Sequence, residues 1–411
     1  MPGQSPLFNF TQLGLGVETG LAVQAAPTVW LSATDVDFHG TNEMDDRTSA
    51  RGNVGREEAQ AGSYTGSGSF TIELDPDVIG TLIALGEGAE AVVADAGNPS
   101  AYAGTATPAI TASPTQQTVA ISTTSGTITV GTSYLIDTAG GKQEVVQALT
   151  GSTSTSFVGV FLKNHAAGAT VSSGANAYDH TYTLNIPRKS FTAQWYRRTD
   201  VLTAVGNKIS TLEFNFQPRA LVQARIATNY VSDNNTAATP GVASFSVLRP
   251  YRFIDPLNII TIGGVTPVSG MVSGTVTLNT GLQAPEITWG SGRTAGAIPE
   301  AQSRVSASIV MQFADKAQQA LFYGNIGATS PASEIIGVPI VIQQFSRSSV
   351  NSVVPYSVKI TLPNAKITMA PTPGRSGGVL QQTLTVEAYE SVPGANDDLS
   401  VVVVNASSTT T

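Results

Sequence analysis

Cysteine is absent from the 411 residues, which excludes disulfides, thiolate nucleophiles and cysteine-ligated zinc. Charge is scarce as well. The 21 Lys and Arg and 29 Asp and Glu make up 12% of the chain, about half the usual ~25%. The net charge is −8, and no lysine precedes Lys142. The clustered basic surface that displaces counterions from a phosphate backbone is therefore missing. Apolar runs are as short as Val401 to Val404, and no basic stretch precedes one, so neither a membrane span nor a secretory leader is expected. What the chain does hold is small, polar and turn-forming: 40 Gly, 22 Pro, 39 Ser and 49 Thr. That balance fits a β-rich protein with many turns and wide uncharged polar surfaces, long enough for two to four domains.

Apolar residues alternate with polar ones through most of the chain. Phe70, Ile72 and Leu74 alternate with Ser69, Thr71 and Glu73, and Tyr182, Leu184 and Ile186 with Thr181, Thr183 and Asn185. Leu212, Phe214 and Phe216 do the same against Thr211, Glu213 and Asn215. Each run is a strand with one face on a core. Helical spacing occurs twice. One helix follows Asp75-Pro76, with Asp as cap, Pro at the first helical position and Val78, Leu82 and Leu85 on one face. The other covers about 314–323, with Ala317, Ala320 and Leu321 on its buried side.

The two helices stand in matching contexts. Residues 68–86 align with 307–324 as strand, turn and helix; 182–194 align with 358–370, Pro187 on Pro363; 210–216 align with 382–388. Upstream, Arg47-Thr48 and Glu58-Ala59-Gln60 echo Arg293-Thr294 and Glu300-Ala301-Gln302. Four matches in one order point to two divergent copies of one fold. Leu85 and Pro187 are 102 residues apart, whereas Gly324 and Pro363 are 39 apart. The excess coincides with a Thr/Ser/Gly-rich island whose alternating Val, Ile, Leu and Phe predict short strands at 118–121, 127–136, 144–149 and 156–162, with Gly140-Gly141 as a hairpin turn. The expected organisation is a first domain from 1–111 and 174–229, an inserted β domain at 112–173, a linker at 230–258, a second domain at 259–404 and a tail at 405–411. The linker carries Arg249-Pro250-Tyr251-Arg252-Phe253, read as a strap across a neighbouring surface. The tail reads as a frayed terminus.

No constellation supports catalysis, and no cofactor or metal is expected. Gly374 to Gly378 fits G-x-S-x-G, but a proline-rich segment precedes the serine and a strand follows it, which is a turn and not a nucleophile elbow. The glycines of Leu13 to Gly20 open no helix, so no dinucleotide site is expected. Asp35, Asp37 and His39 alternate with Val36 and Phe38. Such a face either holds a divalent cation or is the wet face of a strand. Glu57 and Glu58 lie near Arg47, Arg51 and Arg56 in a long polar loop, which reads either as solvated or as a surface that registers a protein partner.

The opening of the chain is Gly14, Gly16-Val17-Glu18-Thr19-Gly20, then Ala26-Pro27-Thr28-Val29-Trp30-Leu31. With the long loop, strand, short helix and antiparallel pair that follow, it resembles the tail tube proteins of long-tailed bacteriophages. The resemblance implies a mainly β chain of two tandem β-sandwich or barrel domains, each with one short helix, plus the inserted β domain. It implies subunits that close into rings and stack into a hollow tube in the virion tail. Two fused copies imply homotrimeric rings of pseudo-sixfold symmetry. The implied partners are other copies of the chain and further tail proteins such as tape measure, terminator and tip, with DNA met only in transit and no membrane. Arg47, Arg51, Arg56, Glu57 and Glu58, with Arg293 and Glu300 on the second long loop, are the candidates for inter-ring contacts. Asp35 and Asp37 are the candidates for the lumen. A tail-tip, baseplate or adhesin-type binding protein of the same kind of particle is the rival reading. A carbohydrate-active enzyme is a further one, although Trp30, Trp195 and Trp289 lack paired acids.

Overall fold

The computed structural model describes residues 11–45, 59–137, 142–197, 200–236, 243–267, 270–283, 285–287, 292–325, 327–369, 374–376 and 379–409. The chain opens with β1 (Thr11–Val17), β2 (Val29–Leu31), β3 (Ala33–Asp45), β4 (Gln60–Glu73), α1 (Ile79–Glu87) and β5 (Gly88–Ala94). A run of short strands follows: β6 (Ala103–Ala106), β7 (Gln117–Ser125), β8 (Ser133–Ile136), β9 (Glu144–Gln147), β10 (Ser156–Gly159) and β11 (Thr170–Ser172). Longer strands return with β12 (Tyr178–Leu184), β13 (Phe191–Arg197), β14 (Val201–Phe216), β15 (Gln223–Tyr230) and β16 (Ser232–Thr236). The remainder is β17 (Ile259–Ile262), β18 (Met271–Asn279), β19 (Arg304–Gln312), α2 (Ala317–Phe322), β20 (Val338–Ser349), β21 (Pro355–Met369), β22 (Gly374–Ser376), β23 (Val379–Tyr389) and β24 (Ser400–Asn405). The protein is mainly β, with an 18-stranded sheet and a 6-stranded one.

Pairing in the large sheet runs twice through one order. β13 pairs with β1 and β14, β14 also with β15 and β16, β15 with β4, and β4 with β3. Later, β20 pairs with β17 and β21, β21 also with β23 and β24, β23 with β19, and β19 with β18. The irregularities recur too. A register shift between Phe191 and Ala193 on β13 has its counterpart between Val338 and Ile340 on β20. One between Ile209 and Thr211 on β14 has its counterpart between Ile367 and Met369 on β21. Two pairings tie the sets together: residues 211–216 of β14 with β18, and β12 with β24.

Burial follows the alternation. On β4, Phe70 and Ile72 are buried, as is Leu74 beyond its end, while Ser69, Thr71 and Glu73 are half-buried. The glycines of β4 make room for aromatic rings. A Cβ on Gly66 would come within 2.1 Å of the Tyr230 ring, and one on Gly68 within 2.4 Å of Phe38. One apolar core runs from Leu13 to Val403 across both pairing sets.

The small sheet has its own core, in which Tyr134 packs edge-on against Tyr102 at 5.2 Å and Phe157 at 5.7 Å. Its strand order is β10-β7-β6-β11-β8-β9, and Leu149 N donates to Val158 O at 2.8 Å. That bond brings the β9 and β10 edges together, so the sheet is nearly closed into a barrel. It begins at Ala103, upstream of the expected residue 112, and β6 and β11 lack the apolar alternation that marked its other strands. Residues 127–132, expected as strand, form no strand, and Gly131 turns with a φ of 88°. The expected turn at Gly140-Gly141 lies outside the described residues.

Other expectations are corrected. α1 begins at Ile79, four residues after Asp75, and all its residues are buried, so it has no wet face. On α2, Gln318 is buried with Ala320 and Leu321, while Ala317 is exposed. The expected linker contributes β16 to the large sheet. Tyr251 in its middle is fully buried, donating its amide to Leu74 O and accepting from Val222 N. Ser407 in the expected frayed tail accepts a bond from the buried His180 ring.

Candidate assembly surface

Where the two pairing sets meet, the chain places a buried polar cluster. Arg188 comes from the turn between β12 and β13, Lys208 from β14, and Glu300 from the segment before β19. The Arg188 amide donates to Glu300 Oε1 at 3.1 Å and its NH1 to Glu300 Oε2 at 3.1 Å. Its Nε donates to Gly86 O at 2.6 Å, NH1 to Thr280 O at 3.2 Å and NH2 to Ser303 Oγ at 2.5 Å. Lys208 Nζ reaches Glu300 Oε1 at 2.5 Å. The Arg188 and Glu300 side chains are 1% and 6% exposed, so neither charge is solvated and each depends on the other. Glu87, fully buried beside them, has no hydrogen-bond partner among the described residues for either carboxylate oxygen. Burial pushes its carboxyl well up, against the opposing pull of Arg188.

Glu300 was expected on an exposed inter-ring loop. The structure instead engages its carboxylate inside the chain, because Arg188, 112 residues away, folds against it. Arg293 is exposed and reaches across the chain, Nε to Gly62 O at 3.0 Å and NH2 to Asn42 Oδ1 at 2.5 Å. Arg47, Arg51, Arg56, Glu57 and Glu58 lie outside the described residues. Phe38 is buried and Val36 packs on the core, with Asp35 and Asp37 exposed. The strict alternation fails at Asp35, which sits at a φ of 52° inside a bulge between Thr34 and Asp37. His39 Nδ1 lies 3.1 Å from Asp37 Oδ2 and its Nε2 3.0 Å from Ser67 Oγ.

The other two histidines are buried and held by carboxylates distant in sequence. His180 contacts Glu90 Oε1 at 2.7 Å, and His165 contacts Glu144 Oε1 at 2.7 Å. Local sequence spacing points to neither partner, since 90 and 21 residues separate the pairs. Glu18 is a similar buried clasp, accepting from Ser190 Oγ, Thr192 Oγ1, Gly206 N and Ala22 N.

Among the strand edges that stay open in the described residues are those of β3 and of the end of β21. β3 pairs only with β4, and its residues 39–45 are all exposed. β21 pairs with β20 only as far as Ala365, so residues 366–369 have β23 on one side and no strand on the other. Open edges of this length are sites for strand addition by another chain. A groove of ≈ 650 Å³ lies beside α2, lined by Val265, Pro267, Ala317, Ala320, Leu321 and Tyr323 among others. Residues 9–388 match the family model of the phage tail tube protein. No curated protein matches the chain.

Proposed function

The chain belongs to the phage tail tube protein family, and from that premise we propose that it polymerises as stacked rings into the tube through which DNA leaves the particle. It is a structural protein of the virion tail and not an enzyme. The observation that carries the reading is the repeated pairing order with its repeated register shifts, which supports two tandem tube domains in one chain. Each domain is a wall segment, so three chains close the ring that six single-domain chains would close. Matched by topology, β21 corresponds to β14 and β20 to β13, so the alignment of 182–194, which spans the end of β12 and the start of β13, with 358–370 is displaced by one to two strands.

In this arrangement the small sheet stands as a separate module inserted in the first domain. Asp35 and Asp37 contribute to an acidic lumen with few basic side chains, which repels DNA rather than holding it. The long loops, with Arg47, Arg51, Arg56, Glu57, Glu58 and Arg293, make the contacts between rings, each exposed pair worth no more than ~1 kcal/mol and multiplied around the ring. The tube in turn meets the tape measure, terminator and tip proteins at its ends. Electron microscopy and native mass spectrometry of the purified protein test the assembly, with a salt series reading out the loops. Rings of three chains stacking into tubes are expected. Rings of six chains, or a protein that never polymerises, would overturn it.

A further inference from the structure

We propose that the open edge of β3 receives the end of β21 from a second copy of the chain, with Thr41 opposite Met369. The inference rests on the ring reading above and deepens it to a residue register. Within the chain, the two pairing sets are joined by β14 and β18, where Thr211 lies opposite Asn279 and Phe214 opposite Val276. Every strand at that joint has a counterpart. Ile209 and Thr211 flank a register shift on β14, as Ile367 and Met369 do on β21. The residue before each shift also matches, Lys208 with Lys366. On the other side, Phe38 lies opposite Gly68 and Thr41 opposite Thr65, while Val276 lies opposite Ala307 and Asn279 opposite Arg304. Gly68 and Ala307 are the positions that the repeat of strand, turn and helix aligns.

The joint made by β14 and β18 thus has a counterpart that one chain cannot form: β21 belongs to the last repeat and β3 to the first. The residues concerned are left uncovered. Met369 is 64% exposed, and Thr41 and Thr368 are exposed. A second copy supplies the missing strand on each side. The contact is heterologous, so repeating it either closes a ring or runs on as a filament.

The absence of cysteine makes the register directly testable. Directly opposed residues on antiparallel strands lie within the Cα separation that a disulfide spans. The full-length variant carrying Thr41→Cys and Met369→Cys is assembled, oxidised and run without reductant. Thr211→Cys with Asn279→Cys provides the intrachain standard. The expected result is disulfide-linked pairs and closed sets of three chains for the first variant, with only monomers from either single substitution. Tubes that form without the cross-link, or single variants that cross-link equally, would overturn the joint and leave the ring reading standing. Failure of the unaltered chain to form any ring would overturn the ring reading itself. If the double variant fails to assemble, amide exchange on the unaltered chain decides. Protection gained at 39–42 on assembly is expected, and unchanged exchange there overturns the proposal.

Discussion

Arg188 is the residue on which the joint between the two pairing sets turns. Its guanidinium bonds Glu300, Gly86, Thr280 and Ser303 while buried. Removing it would leave the nearly buried Glu300 carboxylate with Lys208 as its one cationic partner among the described residues. Arg188→Ala is expected to destabilise the fold by about 3–5 kcal/mol, read as a lowered urea midpoint. Arg188→Lys should recover only part of that, since one ammonium cannot reproduce the planar fork. Asp75 carries a second residue-scale expectation. Burial, helped by the charges of Asp77 and Glu73, pushes its carboxyl from 3.8 up to about 7. The folded chain then keeps a proton that the unfolded chain releases, so this contribution to stability is complete below about 4 and is lost as the pH rises to about 7. Asp75→Asn should flatten the decline in thermal midpoint over that range. An unchanged decline would assign it to other groups, Glu87 first among them.

Among the elements, α1 and α2 show how one local pattern ends in two environments. β12 and β5 pack over α1, and all nine of its residues are buried. In the second pairing set the described residues between α2 and β20 form no strand, and a groove remains beside α2. The small sheet is the element whose removal is most informative. Tyr102 and Ser173 flank it and bond each other, Ser173 N to Tyr102 O at 3.0 Å and Tyr102 N to Ser173 Oγ at 2.9 Å. The ends left by excising 103–172 are therefore already neighbours, and a short Gly/Ser linker spans them. The excised chain should keep its strand content and still assemble, as followed by circular dichroism and microscopy. A soluble variant that no longer assembles would place the small sheet in the tube wall. Excision from residue 112 instead would strand β6 without β7, its partner along one edge.

For the whole molecule, the decisive feature is that two similar pairing sets are joined head to tail, leaving a head and a tail unmatched. On the proposed reading, such a chain satisfies its inner joint by folding and its outer joints by association with further copies. That is why its long exposed edge on β3 need not be an aggregation liability once neighbours cover it. The proposed ring of three follows from two wall segments per chain in a ring of six segments, and the cross-link between Thr41 and Met369 is the most direct test of the outer joint. The low density of positive charge, 21 Lys and Arg in 411 residues, suits a conduit that does not retain DNA.

The sequence by itself determined what is local. Alternation with a period of two places neighbouring side chains on opposite faces, so β4, β12 and the end of β14 were legible from Phe70, Tyr182 and Phe214. The strand, turn and helix at 68–86 and 307–324 were legible as a repeat because their apolar spacing changes from two to three or four in the same order. Absence of cysteine was legible from composition. The tertiary structure alone decided which strands pair. Sliding the alignment by a whole strand keeps the alternation intact, so 182–194 matched 358–370 in sequence although β21 takes the place of β14. It alone decided that the Glu300 side chain is nearly buried, because the arginine that engages it comes from a turn 112 residues away. Where residues this far apart in the chain meet is set by packing around the shared core, which no local pattern of polar and apolar residues encodes.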